Sequence, residues 1–292
     1  MIEKRILPLT SDRVFKRFME NDKNREYLVE LISQIVGIER KLIREKIVFK
    51  PTEMNNKNKQ LIADVIVEVE NHTINIEMNS SLSSALLYKN AMYIANILAS
   101  TPIKGQRYNT DKIAVQINFN AKKDILFKTK SIIHKCMVTD IETNEIANKN
   151  IIVFHIDLDY LKNLWYHNYS KLTKLEKYLF LIICDETKDY EVCKKNLGDD
   201  KIMEKAFETL EQISQDDELV GFYDKEEQDR LIMNTALEIS HKEGITEGKE
   251  EVIKEMLKKD LDINFISEIT KISTDKITEI QKNYLMKYRN FR

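Results

Sequence analysis

Residues 61–70 and 73–79 each alternate apolar and polar side chains with a period of two, and only Asn71 and His72 separate them. Alternation over runs of that length describes strands with one face in a core and the other carrying polar groups. Two such runs joined by a short Asn-containing turn describe a β-hairpin. An isolated hairpin is at best marginally stable in water, so the rest of the chain must cover its apolar face. Further strand patterns at 112–119, 131–138 and 151–156 supply a wider sheet.

Helical spacing fills much of what remains. Val14, Phe15, Phe18, Leu28, Leu31, Ile32 and Ile35 recur along residues 12–36, with Ser11 at the cap position and Gly37 as the stop. From Ser80 to Ser100 the period is again helical, and Leu82, Leu86, Tyr93, Ile97 and Leu98 are available to pack on a sheet. Beyond Leu158 the chain turns predominantly helical, at 173–184, 201–213 and 225–259, and two shorter helices follow, the last opened by Thr274 and Asp275. Only six Gly and three Pro among 292 residues interrupt these patterns. The expected organisation is a core domain at 1–220 and a helical tail at 221–292, the tail serving oligomerisation or regulation.

With 46 Lys+Arg against 48 Asp+Glu, the formal charge of -2 excludes a uniformly basic nucleic-acid coat. Basic residues are instead regional, at Lys104–Arg107, Lys112, Lys122, Lys123, Lys128, Lys130 and Lys135. Three cysteines, none in a CxxC spacing, argue against a disulfide framework or a structural zinc site and point to a reducing cytoplasm. No run approaches the roughly 18 apolar residues a membrane helix needs, so no membrane is expected as a partner.

The chemistry lies in the hairpin. A turn centred on Asn71-His72 sets Asp64 opposite Asn79 and Ile66 opposite Glu77, so Asp64, Glu77 and Asn79 share one face while Ala63, Val65, Val67, Ile76 and Met78 share the other. Two carboxylates held close repel when ionised, and a hard divalent cation relieves that repulsion. Mg²⁺ in particular accepts one or two carboxylates and completes its shell with water and substrate phosphate, an arrangement suited to phosphodiester hydrolysis. Alternation alone also describes an ordinary solvated strand face, and spacing does not choose between the two. Asp12, at the start of the first helix, is either an outer carboxylate of the same site or an acid favoured by the helix dipole. The run His155-Ile156-Asp157-Leu158-Asp159 is either a set of ligands or a strand end entering a helix cap.

The order Asp64, then Ile76-Glu77-Met78-Asn79, then a helix carrying Lys89 and Tyr93, then Gly105-Gln106-Arg107-Tyr108, resembles the recombination-promoting nuclease and transposase family of the PD-(D/E)XK superfamily. Residues 11–18 look like that family's N-terminal signature and residues 112–119 like its next strand. The segments 243–249 and 266–277 are similar to its glycine-punctuated helix and terminal helices. The resemblance implies a restriction-endonuclease-like α/β fold, a mixed sheet core flanked by helices with a helical C-terminal tail. It also implies Mg²⁺-dependent DNA cleavage, with Mn²⁺ as a substitute, in recombination or transposition. Carried over by position, Asp64 and Glu77 become the metal ligands. Asn79 stands where the superfamily pattern has Lys and this family commonly has Gln; as an amide it can orient a water or a phosphate oxygen. Lys89 on the following helix is the candidate for the missing positive charge. The alternative on the same scaffold is a catalytically degenerate DNA-binding or interaction protein. Gly244 and Gly248, four apart in the long helix, suggest close helix approach and a homo-oligomer.

Overall fold

The structure, a computed structural model, describes residues 5–54, 61–80, 84–99, 111–122, 127–184 and 187–289. Three helices open the chain: α1 (Asp12–Met19), α2 (Arg25–Val36) and α3 (Arg40–Lys46). Gly37 closes α2 at φ 91°, the left-handed conformation in which a Cβ is penalised. Five strands follow: β1 (Val48–Lys50), β2 (Glu53–Met54), β3 (Leu61–Ile62), β4 (Val65–Val69) and β5 (His72–Asn79). Helix α4 (Ser84–Ala99) leads to β6 (Ile113–Asn120), β7 (Ile133–Thr139) and β8 (Ile146–Asp157). The remainder is helical: α5 (Leu158–Asn168), α6 (Lys174–Ile183), α7 (Thr187–Leu197), α8 (Lys201–Ile213), α9 (Asp217–Lys258), α10 (Ile263–Thr270) and α11 (Thr274–Arg289).

Six strands form one mixed sheet in the order β1-β4-β5-β6-β8-β7, and β2 pairs with β3 separately. The pairs β1·β4, β4·β5 and β7·β8 are antiparallel, whereas β5·β6 and β6·β8 are parallel. A parallel neighbour requires a crossover, and α4 lies within the one between β5 and β6. The expected fold class, a mixed sheet flanked by helices with a helical C-terminal region, is the one observed.

The hairpin register departs from expectation by two residues. Val69 pairs with His72 and Val65 with Ile76, which puts the turn at Glu70-Asn71 instead of Asn71-His72. Asn71 is engaged elsewhere: its Nδ2 donates to the Asp111 carbonyl at 2.8 Å, and its own carbonyl accepts from the Ile113 amide at 2.8 Å, tying the turn to the start of β6. Ile66 therefore faces Asn75, and the register continued one step places Asp64 level with Glu77. A shift of two preserves parity, so the two faces of the hairpin are those the alternation describes, except at Ala63, which precedes β4, donates its amide to the Thr52 carbonyl and packs with Ile66 and Tyr93 on the opposite face from Val65 and Val67.

One face of the sheet is apolar. Val65, Val67, Val69, Ile74, Ile76, Met78, Val115, Ile117, Phe119, Phe154 and Ile156 join a continuous core with residues of α1, α2, α5, α6, α7 and α8. Phe15 of α1 meets Phe119 edge-on at 5.8 Å, and Trp165 stacks on Phe180 at 3.8 Å. The other face carries amides, a carboxylate and a histidine at its centre, with α4 packed over two apolar ends. There Tyr93 sits on Ala63 and Ile66, while Ile94 and Ile97 sit on Ala114.

The chain divides into two compact units, Met1–Tyr223 and Asp224–Arg292, with the division inside α9. The second has a small core of its own in Ile253, Ile266, Ile277 and Ile280, backed by Met256, Leu257, Ile263 and Ile272. A Cβ added at Gly244 or Gly248 would meet nothing within 4 Å. Among the described residues no helix is long and apolar enough to cross a membrane.

Candidate active site

Asp64 lies just before β4, and Glu77 lies in β5 beside it. Each carboxylate accepts a backbone amide of the other strand: Met78 N–H donates to Asp64 Oδ2 at 2.7 Å, and Asp64 N–H donates to Glu77 Oε1 at 3.2 Å. The strand pairing itself thus holds the two acids together. The second oxygen of Glu77, Oε2, receives the Lys89 ammonium of α4 at 3.2 Å, with the Glu77 side chain 1% exposed and that of Lys89 42% exposed. The same ammonium lies 5.2 Å from the centre of the Tyr93 ring, one helical turn on. Tyr93 in turn donates its hydroxyl to the Ile62 carbonyl, anchoring α4 over this end of the sheet.

Electrostatics show the strain of this grouping. Burial, then the Glu77 charge, then the Asp12 charge push the Asp64 carboxyl up to about 8, against the pull of the Met78 amide and Lys89. Burial also raises Glu77, while Lys89 and hydrogen bonds from Asp64 and Asn75 draw it back. For Lys89, burial opposes the charge, but Glu77 and Tyr93 outweigh it and the pKa rises. Two acids held together at such cost form a donor set suited to a hard divalent cation. Among the described residues no group of three or more His, Cys, Asp or Glu converges on a metal position. Two carboxylates suffice where water and phosphate complete the shell, which is the habit of Mg²⁺.

The structure brings Asp64, Glu77 and Lys89 together, whereas Asn79 lies two residues beyond Glu77 on β5, paired with Asn120 of β6 and not opposite Asp64 as expected. Asn79 is buried on the same face as Glu77, and its Nδ2 donates to Asn120 Oδ1 at 3.1 Å. Asp12 reaches the group through its charge on Asp64. In the 155–159 run Asp157 caps α5, accepting the Tyr160 amide at 2.8 Å, so its carboxylate is engaged as the strand-to-helix reading requires. Lys104–Arg107, Tyr108 and Lys123 lie outside the described residues.

Sequence reasoning missed the layer of amides beside the acids. Asn75, Gln116 and Asn118 are fully buried on the polar face. Asn75 Nδ2 donates to Gln116 Oε1 at 2.9 Å and Gln116 Nε2 to Asn118 Oδ1 at 3.0 Å, while Asn75 also bonds Glu77. Parallel pairing sets Glu77 opposite Asn118, and Asn118 opposite His155. The signal was present as Gln116, Asn118 and Asn120 at every second residue of β6, on a strand whose other members are apolar.

Among known proteins, a family model described as PD-(D/E)XK nuclease family transposase matches residues 9–239. No curated protein and no solved structure matches the chain. PD-(D/E)XK nucleases generally use divalent metal ions, in keeping with the paired acids. The matched span takes in the whole sheet, α4, Asp64 and Glu77, and the chain belongs to the PD-(D/E)XK nuclease family transposases.

Proposed function

We propose that the chain is a DNA endonuclease that works with Mg²⁺, or Mn²⁺ in its place, in the recombination or transposition of mobile elements. The observation that carries the reading is the pair of buried Glu77 and half-buried Asp64, side by side on a polar sheet face and locked by each other's backbone. In this reading both carboxylates hold the ion. When bound, the ion supplies Lewis acidity toward a phosphoryl oxygen and acidifies water. Lys89, half exposed beside Glu77, faces the developing negative charge on the phosphate. Asn79 orients water or a phosphate oxygen through its amide. Asn75, Gln116 and Asn118 keep Glu77 in place by a continuous run of hydrogen bonds.

Lys122, Lys128, Lys130 and Lys135 are exposed and are assigned here to the DNA backbone. The three free cysteines support a reducing, cytoplasmic setting. Exposed Leu231, Ile232, Leu237 and Ile239 on α9 support association with a second copy through the helical tail, taken here as 221–292.

Plasmid nicking tests the proposal. The wild-type chain nicks supercoiled plasmid with Mg²⁺ or Mn²⁺ and is inactive with a chelator, and Glu77→Ala abolishes nicking while leaving the circular dichroism unchanged. Equal nicking by that variant refutes the assignment. A second reading, a DNA-binding protein without turnover, is favoured by Asn79, an uncharged residue whose amide nitrogen is already engaged by Asn120. Binding without nicking in the wild type, with nicking restored by Asn79→Lys, selects it.

A further inference from the structure

On the sheet face that carries Glu77 lies a cavity of about 470 Å³ between α4 and the strands β7 and β8. Leu87, Ala91, Ile94 and Val153 supply apolar wall, with Asn90 and His155 at the same lining. None of its described lining residues is Lys, Arg, Asp or Glu, so a phosphate or a carboxylate finds no counter-charge there. Its size falls in the range of pockets that enclose small molecules.

Asn90 is the unusual member. It is 6% exposed, yet neither its Oδ1 nor its Nδ2 has a hydrogen-bond partner. The amides of Asn75, Gln116, Asn118 and Asn79 on the same side of the sheet are each bonded to a neighbour. Among the described buried amides, Asn90 alone is unpartnered at both ends. A buried donor and acceptor kept side by side in an apolar pocket match a neutral, flat ligand with a donor and an acceptor on one edge. That is the description of a nucleobase: Asn pairs bidentately with such an edge, and apolar side chains take the ring faces.

Position connects the cavity to the chemistry. Asn90 follows Lys89 on α4, so one residue meets Glu77 and the next lines the cavity. His155 at the cavity is opposite Asn118, which is opposite Glu77, a separation of two strand spacings or about 10 Å. We propose that this cavity receives a nucleobase turned out of the DNA duplex beside the scissile phosphate, with Asn90 bonding its polar edge. The inference rests on the nuclease reading above and adds to it a site for the substrate's base.

The test uses short duplexes carrying 2-aminopurine at successive positions, mixed with the full chain in chelator so that no strand is cut. Fluorescence anisotropy of an end label on the same duplexes follows binding. Wild type is expected to raise 2-aminopurine emission several-fold at one or more positions on saturation. Asn90→Leu and the cavity-filling Ala91→Phe are expected to lose that rise while binding the duplex within about threefold of wild type. Circular dichroism checks the fold of each, and either folded variant decides. Duplex binding or nicking by wild type with no emission rise at any position overturns this inference alone. A rise that persists in both variants does the same. Absence of both duplex binding and nicking overturns this inference and the nuclease reading together.

Discussion

Burial and the neighbouring charges of Glu77 and Asp12 push Asp64 up to about 8, far above an unfolded aspartate. In metal-free protein the folded state therefore holds more protons than the unfolded state between roughly pH 4 and 8, and stability falls as pH rises through that window. Thermal melts in chelator are expected to show that decline, and Asp64→Asn to flatten it and to raise the melting temperature near neutrality. A variant with the wild-type profile contradicts the electrostatic account of the pair. Lys89 invites a second measurement. Its ammonium stabilises the ionised form of Glu77, so Lys89→Met is expected to raise the Glu77 pKa yet lower nicking about 100-fold, the order found when one electrostatic donor is removed from a reacting centre. Saturating divalent cation should not restore the rate, and Lys89→Arg should restore part of it. Full recovery by cation alone shows that Lys89 merely balances Glu77.

At the scale of elements, the hairpin explains how much of the site was legible. Face assignment depends only on parity, and the one-residue displacement of the turn, a two-residue shift in pairing, left Asp64 and Glu77 on the same side. The displacement itself was invisible locally, because the hydrogen bond that fixes Asn71 goes to Asp111, forty residues away. The amides of β6 were hidden for a similar reason: their meaning depends on parallel pairing with β5, a non-local contact across α4. Helix α3 escaped because it is short and rich in charge and buries only Ile43. Helix stops were easier to read, as at Gly37, where φ is 91°. Gly37→Ala is expected to destabilise the protein by about 1–2 kcal/mol in urea titrations, the cost of a Cβ in the left-handed region. No change would mean that the end of α2 rearranges freely.

For the whole molecule, each unit has its own core, one built on the sheet and one on Ile253, Ile266, Ile277 and Ile280. With the apolar side chains Leu231 and Leu237 of α9 exposed, the proposed self-association is expected to appear as a dimer in sedimentation measurements, and replacing both by Lys is expected to give monomer. Monomeric wild type at tens of micromolar contradicts a role for this helix in self-association. Everything else turns on whether the paired acids Asp64 and Glu77 take up one cation. The most direct measurement is titration of Mn²⁺ into the full chain with a non-hydrolysable duplex, followed by loss of the free-ion electron paramagnetic resonance signal. The account predicts saturable uptake by the wild type, weakened at least tenfold by Asp64→Asn and by Glu77→Gln; uptake by both variants equal to that of the wild type would contradict it.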